Sequence, residues 1–337
     1  LNYLLNEQQD QAIDAFIEAV QNDPDTSELH FALGNLFRRR GEYDRAVRVH
    51  EHLLARADLS SADRQRAQHG LALDFLKAGL LDRAEDALRK LEGSPYEGQA
   101  RLARLAIYER SREWPQAAQV ADMLERSGEA NFSVRQAHYR CEQAREAFSL
   151  GDLDRALTLL QDTVRDIPQA PRARILLGQL LLTRQQASDC LQTLRPLFEQ
   201  SDPTAPLAAA TLAKAAQACG QEAVARQLLQ DFYQQQPSLD VLEAMVTLGG
   251  QSTAETRQPF LQHLQKHASL LAASRWLAAA PAQEALPPAV QKALDSAARP
   301  LARYRCAACG FEAKEHFWHC PGCQAWDSYP PRRVEEL

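Results

Sequence analysis

The sequence predicts an all-α chain: a solenoid of stacked helical hairpins that ends in a small four-cysteine metal-binding unit. Three observations predict it. Ile and Val together number 16 of 337 residues, while Ala, Leu, Gln, Arg and Glu dominate; strands draw on β-branched side chains that straight-chain helix formers replace poorly. A small residue recurs at near-regular intervals through most of the chain, and two Cys-x-x-Cys pairs close it. Glycine, at 14 residues, is sparse, as long helices prefer. The formal charge of −6 argues against a bulk electrostatic grip on nucleic acid. No window approaches the roughly 18–20 apolar residues of a membrane-spanning helix. An all-β enzyme, a membrane channel and a histone-like polycation are excluded.

The repeat shows in one tripeptide, Asp44-Arg45-Ala46, Asp82-Arg83-Ala84 and Asp154-Arg155-Ala156, with Gly41, Gly79 and Gly151 five residues before each Ala. Tyr43, Leu81 and Leu153 stand three before it, and Trp114 with Ala117 keeps that spacing. In this register small residues fall at Ala12, Ala46, Ala84, Ala117, Ala156, Cys190 and Ala225, at intervals of 34, 38, 33, 39, 34 and 35 residues. Pro24, Pro168 and Pro237 follow 12 residues later and stop a helix.

Period and residues resemble the tetratricopeptide repeat, a helix–turn–helix whose repeats stack into a superhelical solenoid. In repeat two, Leu33-Gly34 and Phe37 occupy the first helix, Gly41 closes the turn in a left-handed conformation, and Ala46 lets the helices approach. In repeat one, Tyr3 takes the aromatic slot and the Leu-Gly slot falls before residue 1, so the register predicts residues upstream of Leu1. After Pro237 the pattern decays. Leu239–Leu248, 258–271 and 272–280 read as helices broken by Gly249-Gly250 and Pro259, forming degenerate capping hairpins. Pro281, Pro287 and Pro288 then mark a hinge. The predicted domains are a repeat array over 1–285, a Pro-bounded linker helix over 286–300 and a metal-binding unit over 301–337.

The first helix of each pair lines the concave face of such a solenoid. Its inward slots read Phe31, Asn35, Arg38 and Arg39, then His69, Leu73, Leu76 and Lys77, then Leu102, Ala106, Glu109 and Arg110, then Cys141, Arg145 and Phe148. Arg39, Lys77 and Arg110 share one slot in three successive repeats, with Arg38 and Arg145 beside that track. A basic, partly apolar groove suits a protein segment carrying carboxylates. The same cations also suit the last turn of a helix with no partner, where they face its negative end. No phosphate loop, nucleophile elbow or metalloprotease His-Glu pair is present, so the chain does not read as an enzyme. His50, His52, His263 and His267 lie at helical positions among polar neighbours; His263 and His267, four apart, read as a surface pair, with a shared metal as the alternative. Cys141, Cys190 and Cys219 read as small buried side chains.

The last segment contains Cys306-Ala-Ala-Cys309 and Cys320-Pro-Gly-Cys323, separated by ten residues. Two facing knuckles of this kind make a tetrahedral four-sulfur cage. Gly310 stands where the backbone turns after the second sulfur. A segment this short has little hydrophobic core, so metal binding must supply most of its folding free energy. Two disulfides are the alternative; an odd total of seven cysteines favours reduced thiols. His316 and His319 are spare ligands. Tetrahedral sulfur accepts zinc or a single iron. Tyr304, Phe311, Trp318 and Trp326 resemble the apolar cover of a rubredoxin site, while the short spacer and Gln324, where Gly is usual, depart from it.

Tetratricopeptide repeats followed by Tyr304-Arg-Cys306-x-x-Cys309-Gly-Phe311 and Trp318-His-Cys320-Pro-x-Cys323-x-Ala-Trp326 resemble the lipopolysaccharide assembly protein B family. The resemblance covers essentially the whole chain, including Leu33-Gly34-Asn35-Leu36-Phe37-Arg38 and Asp82-Arg83-Ala84-Glu85-Asp86. It implies a non-enzymatic adaptor on the cytoplasmic side of the inner membrane, tethered by an N-terminal membrane helix absent from this sequence. It implies two partners, the committed-step deacetylase of lipopolysaccharide synthesis and the membrane AAA protease FtsH that degrades it, and scaffolding of other synthesis enzymes. It makes Cys306, Cys309, Cys320 and Cys323 the ligands of one iron or zinc ion. Whether the array forms a homodimer stays open. An iron-based redox protein and a generic peptide-binding helper are the alternative functions.

Overall fold

The computed structural model describes residues 26–128, 130–249, 253–282 and 284–337. Tyr3, Ala12 and Pro24 of the first repeat, and Gly250, lie outside the described residues. The chain divides into two compact units, 1–132 and 133–337.

Among the described residues the first unit has three hairpins: α1 (Ser27–Arg40) with α2 (Tyr43–Ala55), α3 (Ser61–Ala78) with α4 (Leu81–Arg89), and α5 (Glu97–Ser111) with α6 (Trp114–Arg126). Gly41 and Gly79 turn the first two with φ of 80° and 76°. In the third, Arg112 takes the left-handed position at φ 60°, at a steric cost of about 1 kcal/mol that glycine avoids. The recurring tripeptide has a packing explanation. Its Ala fills the helix–helix seam, while the guanidinium groups of Arg45 and Arg83 lie 4.1 and 4.2 Å from the ring centroids of Phe37 and Phe75. Each Arg thus covers the aromatic of its hairpin's first helix.

Close approach also depends on glycine. His50, on α2, is wedged between α1 and α3: a Cβ at Gly34 would stand 2.6 Å from its Cε1, and one at Gly70 2.6 Å from its Nε2. The ring cannot retreat, because Nδ1 is 2.5 Å from Oδ2 of the fully buried Asp74. Arg38 donates to the other Asp74 oxygen (2.8 Å), to the Gly70 carbonyl (3.2 Å) and to Asn35. His50 is therefore a buried, bonded core residue.

The second unit continues with α7 (Ser133–Ser149) and α8 (Leu153–Asp166), α9 (Pro171–Thr183) and α10 (Ala187–Glu199), then a 3-10 turn (Ala205–Ala208) leading into α11 (Ala209–Cys219) and α12 (Glu222–Gln235). α13 (Leu239–Leu248), α14 (Thr253–Leu264), α15 (Leu270–Ala278) and α16 (Pro288–Ala298) complete the helices. A single apolar cluster runs from Cys141 to Leu248. Across both units Ala46, Ala84, Ala117, Ala156, Cys190 and Ala225 are at most 1% exposed, which sets the predicted register in space.

Two expectations are corrected. Pro259 does not break a helix but lies inside α14, and the helix expected over 258–271 divides at Ser269. The Ser269 hydroxyl accepts the Ala272 N–H (2.9 Å) and starts α15. Beyond α16, β1 (Tyr304–Arg305) pairs antiparallel with β2 (Glu312–Ala313). No helix among the described residues is long and apolar enough to cross a membrane.

The His50 wedge gives a test. Gly70→Ala improves helix propensity, yet should destabilise the protein by about 1–3 kcal/mol through overpacking. Urea unfolding followed by circular dichroism measures it.

Candidate metal centre

Each cysteine pair sits on its own tight turn. The first is bracketed by the β1–β2 hairpin, with Cys306 N–H donating to Phe311 O and Gly310 N–H to Cys306 O, both 2.9 Å. The second is bracketed by the His319–Trp326 bridge, with Cys320 N–H donating to Ala325 O and Gln324 N–H to Cys320 O, again both 2.9 Å. Gly310 has φ 78° and Gln324 φ 60°. The departure at Gln324 thus preserves the turn while adding a Cβ in the left-handed region.

The four Sγ atoms lie within 4.8 Å of one another. Cys306 and Cys323 are 3.8 Å apart, Cys309 and Cys320 3.7 Å. Four sulfurs at the usual zinc–sulfur bond length of about 2.3 Å, arranged tetrahedrally, stand about 3.8 Å apart. A disulfide needs about 2.0 Å, and all four cysteines are free. The residues therefore fit a four-cysteine metal site, and this donor set suits both zinc and a single iron. Burial works against the Cys306 thiolate, but the Ser328 hydroxyl and the Cys309 and Ala308 N–H groups outweigh it and bring that thiol down to about 6. Cys306 and Cys320 are buried; Cys309 and Cys323 are exposed.

Neither spare histidine is needed. His316 Nε2 donates to the Tyr329 carbonyl (3.0 Å), and His319 stacks on Trp326 at 4.3 Å between centroids. Cys141 and Cys190 are buried thiols, pushed up by desolvation to about 12 and about 11. That suppresses thiolate chemistry there. His263 is also buried, with Nδ1 2.5 Å from the Tyr233 hydroxyl, so its pairing with His267 is not a simple surface one.

The metal unit is docked on the array. Trp326 is sandwiched between His319 and His138 of α7, the latter at 4.8 Å, and Trp318 packs on the main core. His138 Nε2 donates to Asp327, 3.0 Å from both oxygens, while Nδ1 accepts from Arg172 of α9 at 3.3 Å. Tyr304 donates to Asp240 of α13 (3.2 Å), and Leu207 packs beside it. These contacts fall on α7, α9 and α13 and on the turn before α11, while Arg145 and Phe148, the inward slots expected on α7, stay exposed. Sequence reasoning missed His138, Arg172 and Asp240, which carry no periodic signal.

The groove residues divide by unit. Arg39, Lys77 and Arg110 are exposed in the last turns of α1, α3 and α5. Arg38 is engaged by Asp74, and Arg145, in the second unit, stands 3.5 Å from Glu142. Phe31, expected to face inward, is a core residue, and Cys141, placed both in an inward slot and among the buried small side chains, is buried.

Fold and site together define a tetratricopeptide-repeat protein with a rubredoxin-type metal unit at its C-terminal end. The family model described as Rubredoxin metal binding domain matches residues 304–330, and two Tetratricopeptide repeat models match 29–65 and 141–189. Lipopolysaccharide assembly protein B of Escherichia coli (strain K12) is 31% identical over 99% of this chain and 88% of its own length. The protein of that name from Haemophilus influenzae is 26% identical over 100% of this chain and 89% of its own. The chain belongs to the lipopolysaccharide assembly protein B family. A solved tetratricopeptide repeat protein from Parabacteroides merdae is 15% identical, covering 73% of this chain and 94% of its own, with a TM-score of 0.32.

The docking contact carries a pH dependence. Desolvation, with Arg172 and Arg135 adding repulsion, outweighs the pull of Asp327 and holds His138 below the ordinary histidine value of 6.5. Unfolded, it binds a proton near 6.5; folded, only at lower pH. Stability should therefore decline as pH falls through that window and level off below it. His138→Gln should flatten this part of the profile, read by tryptophan fluorescence during urea unfolding.

Proposed function

We propose that the protein is a non-enzymatic adaptor that restrains lipopolysaccharide synthesis by presenting the committed-step deacetylase to the membrane AAA protease FtsH. It also gathers other synthesis enzymes at the inner membrane. The observation that carries this reading is the 31% identity to Escherichia coli lipopolysaccharide assembly protein B over 99% of the chain, metal unit included. A membrane tether upstream of this sequence would raise the effective concentration of a soluble substrate beside a membrane protease. Residues 1–285 act as the array, 286–300 as the linker and 301–337 as the metal unit.

In this reading the partner surface lies on the first unit. Arg39, Lys77 and Arg110 recur on successive first helices, and among the described residues no carboxylate engages them. They suit an acidic segment of a protein partner; Arg38 and Arg145 support the track from within their own ion pairs. Charge reversal of all three to Glu should abolish capture of the deacetylase and leave the helical circular dichroism unchanged. Retained capture removes the groove.

Cys306, Cys309, Cys320 and Cys323 hold one metal ion, and their role is structural: the ion folds the unit that docks on the array. The exposure of Cys309 and Cys323 also favours a second reading, an iron site exchanging electrons at the surface. Optical spectra of anaerobically purified protein discriminate. A colourless zinc protein rules out electron transfer, and a reversible iron couple with an identified donor supports it. Replacing Cys306 and Cys309 by Ser should release the metal and let the deacetylase accumulate in cells; a normal level would make the metal dispensable for the adaptor role.

A further inference from the structure

The end of the chain is bonded to the array through its charged side chains. Arg333 forms a two-pronged pair with Asp240 of α13 (2.6 and 3.1 Å), covers the Tyr304 ring at 4.3 Å and donates to the Ala302 carbonyl (2.8 Å). Glu336 accepts the N–H of Leu239, the first residue of α13, at 2.7 Å. Glu335 accepts the N–H groups of Leu270 (2.5 Å) and Leu271 (3.1 Å), which open α15, and the Ser269 hydroxyl (2.6 Å).

A helix start leaves N–H groups unpaired and carries partial positive charge, so a carboxylate there is a strong cap. At α13 the substitution is visible. Ser238 occupies the local cap position, yet its buried hydroxyl has no hydrogen-bond partner among the described residues, and the cap comes from Glu336, 97 positions after Leu239. The tail in turn takes its path from the metal unit. Val334 N–H donates to Arg303 O (2.7 Å) and Glu335 N–H to Leu301 O (3.2 Å), immediately before the strand that carries Cys306. Tyr329 is buried beside Cys306 and Cys320 and donates its hydroxyl to Phe311 O (3.1 Å).

We infer that the C-terminal tail is a metal-dependent latch: the folded four-cysteine unit aims Glu335 and Glu336 at the starts of α15 and α13, and losing the metal releases both helix ends. The inference rests on the four cysteines binding a metal ion. It gives the site a regulatory output, since metal occupancy is transmitted to the last hairpins of the array, well along the chain from the basic track of the first unit. The latch needs both parts, a folded unit to fix residues 301–303 and two carboxyl side chains to reach the helices.

Hydrogen–deuterium exchange of the zinc-loaded chain tests it, comparing wild type with Glu335→Ala/Glu336→Ala, which removes both acceptors, and with chelator-stripped wild type. The double variant should keep its zinc and the protection of its knuckles while the first turns of α13 and α15 exchange about tenfold faster. Stripping the wild type should speed the same turns at least as much. Unchanged exchange in the zinc-loaded variant overturns the latch; unchanged exchange on stripping overturns its dependence on metal. Wild type that takes up no metal shows instead that the four-cysteine reading has failed. Asp240→Ala, which frees Arg333, should reproduce the faster exchange at α13 and keeps the test open if the double variant does not fold.

Discussion

A two-helix hairpin has two apolar faces and can bury only one of them against itself. Everything in this chain follows from how the other face is covered. Successive hairpins must come close enough to share a core, which requires small residues at the seams and rules out a Cβ where a ring intervenes. Ala46, Ala84, Ala117, Ala156, Cys190 and Ala225 meet the first requirement. Gly34 and Gly70 meet the second, on either side of His50. Asp74 and Arg38 then satisfy the polar atoms that this wedge brings inside, as a buried ion network must if it is not to cost more than the packing it allows.

The two units use the same hairpin for different ends. In the second, first helices receive the chain's own metal unit, through Trp326 on His138, Asp327 on His138 and Arg333 on Asp240. In the first, Arg39, Lys77 and Arg110 remain exposed. Buried thiols at Cys141 and Cys190, and histidines held by Asp74, Asp327 and Tyr233, have structural work in packing and hydrogen bonding.

The metal unit has a core of only Tyr304, Cys306, Cys320 and Tyr329, assisted by Leu207 from the array. Apolar burial on that scale cannot order 37 residues. The four convergent sulfurs supply the missing organisation, because bringing thiolates this close is unfavourable until a cation compensates their charge. The array contributes too, through Leu207 beside Tyr304 and through Asp240, which accepts from Tyr304 and Arg333.

Sequence alone determined the repeat register, the hairpin turns at Gly41 and Gly79 and the four-sulfur knuckles. Each depends on local geometry: a periodic small residue, a left-handed turn, a Cys-x-x-Cys spacing. It misjudged Pro259, because a helix can absorb one lost N–H when neighbouring helices pack it, and it did not find the buried partner of His50, 24 residues away. It could not show that Arg38 is bonded to Asp74, that His138 and Asp240 receive the metal unit, or that Glu335 and Glu336 cap helices begun 65 and 97 residues earlier. Those decisions belong to tertiary structure, because a hydrogen bond or ion pair between distant positions leaves no period in the chain and exists only once folding has brought its two ends together.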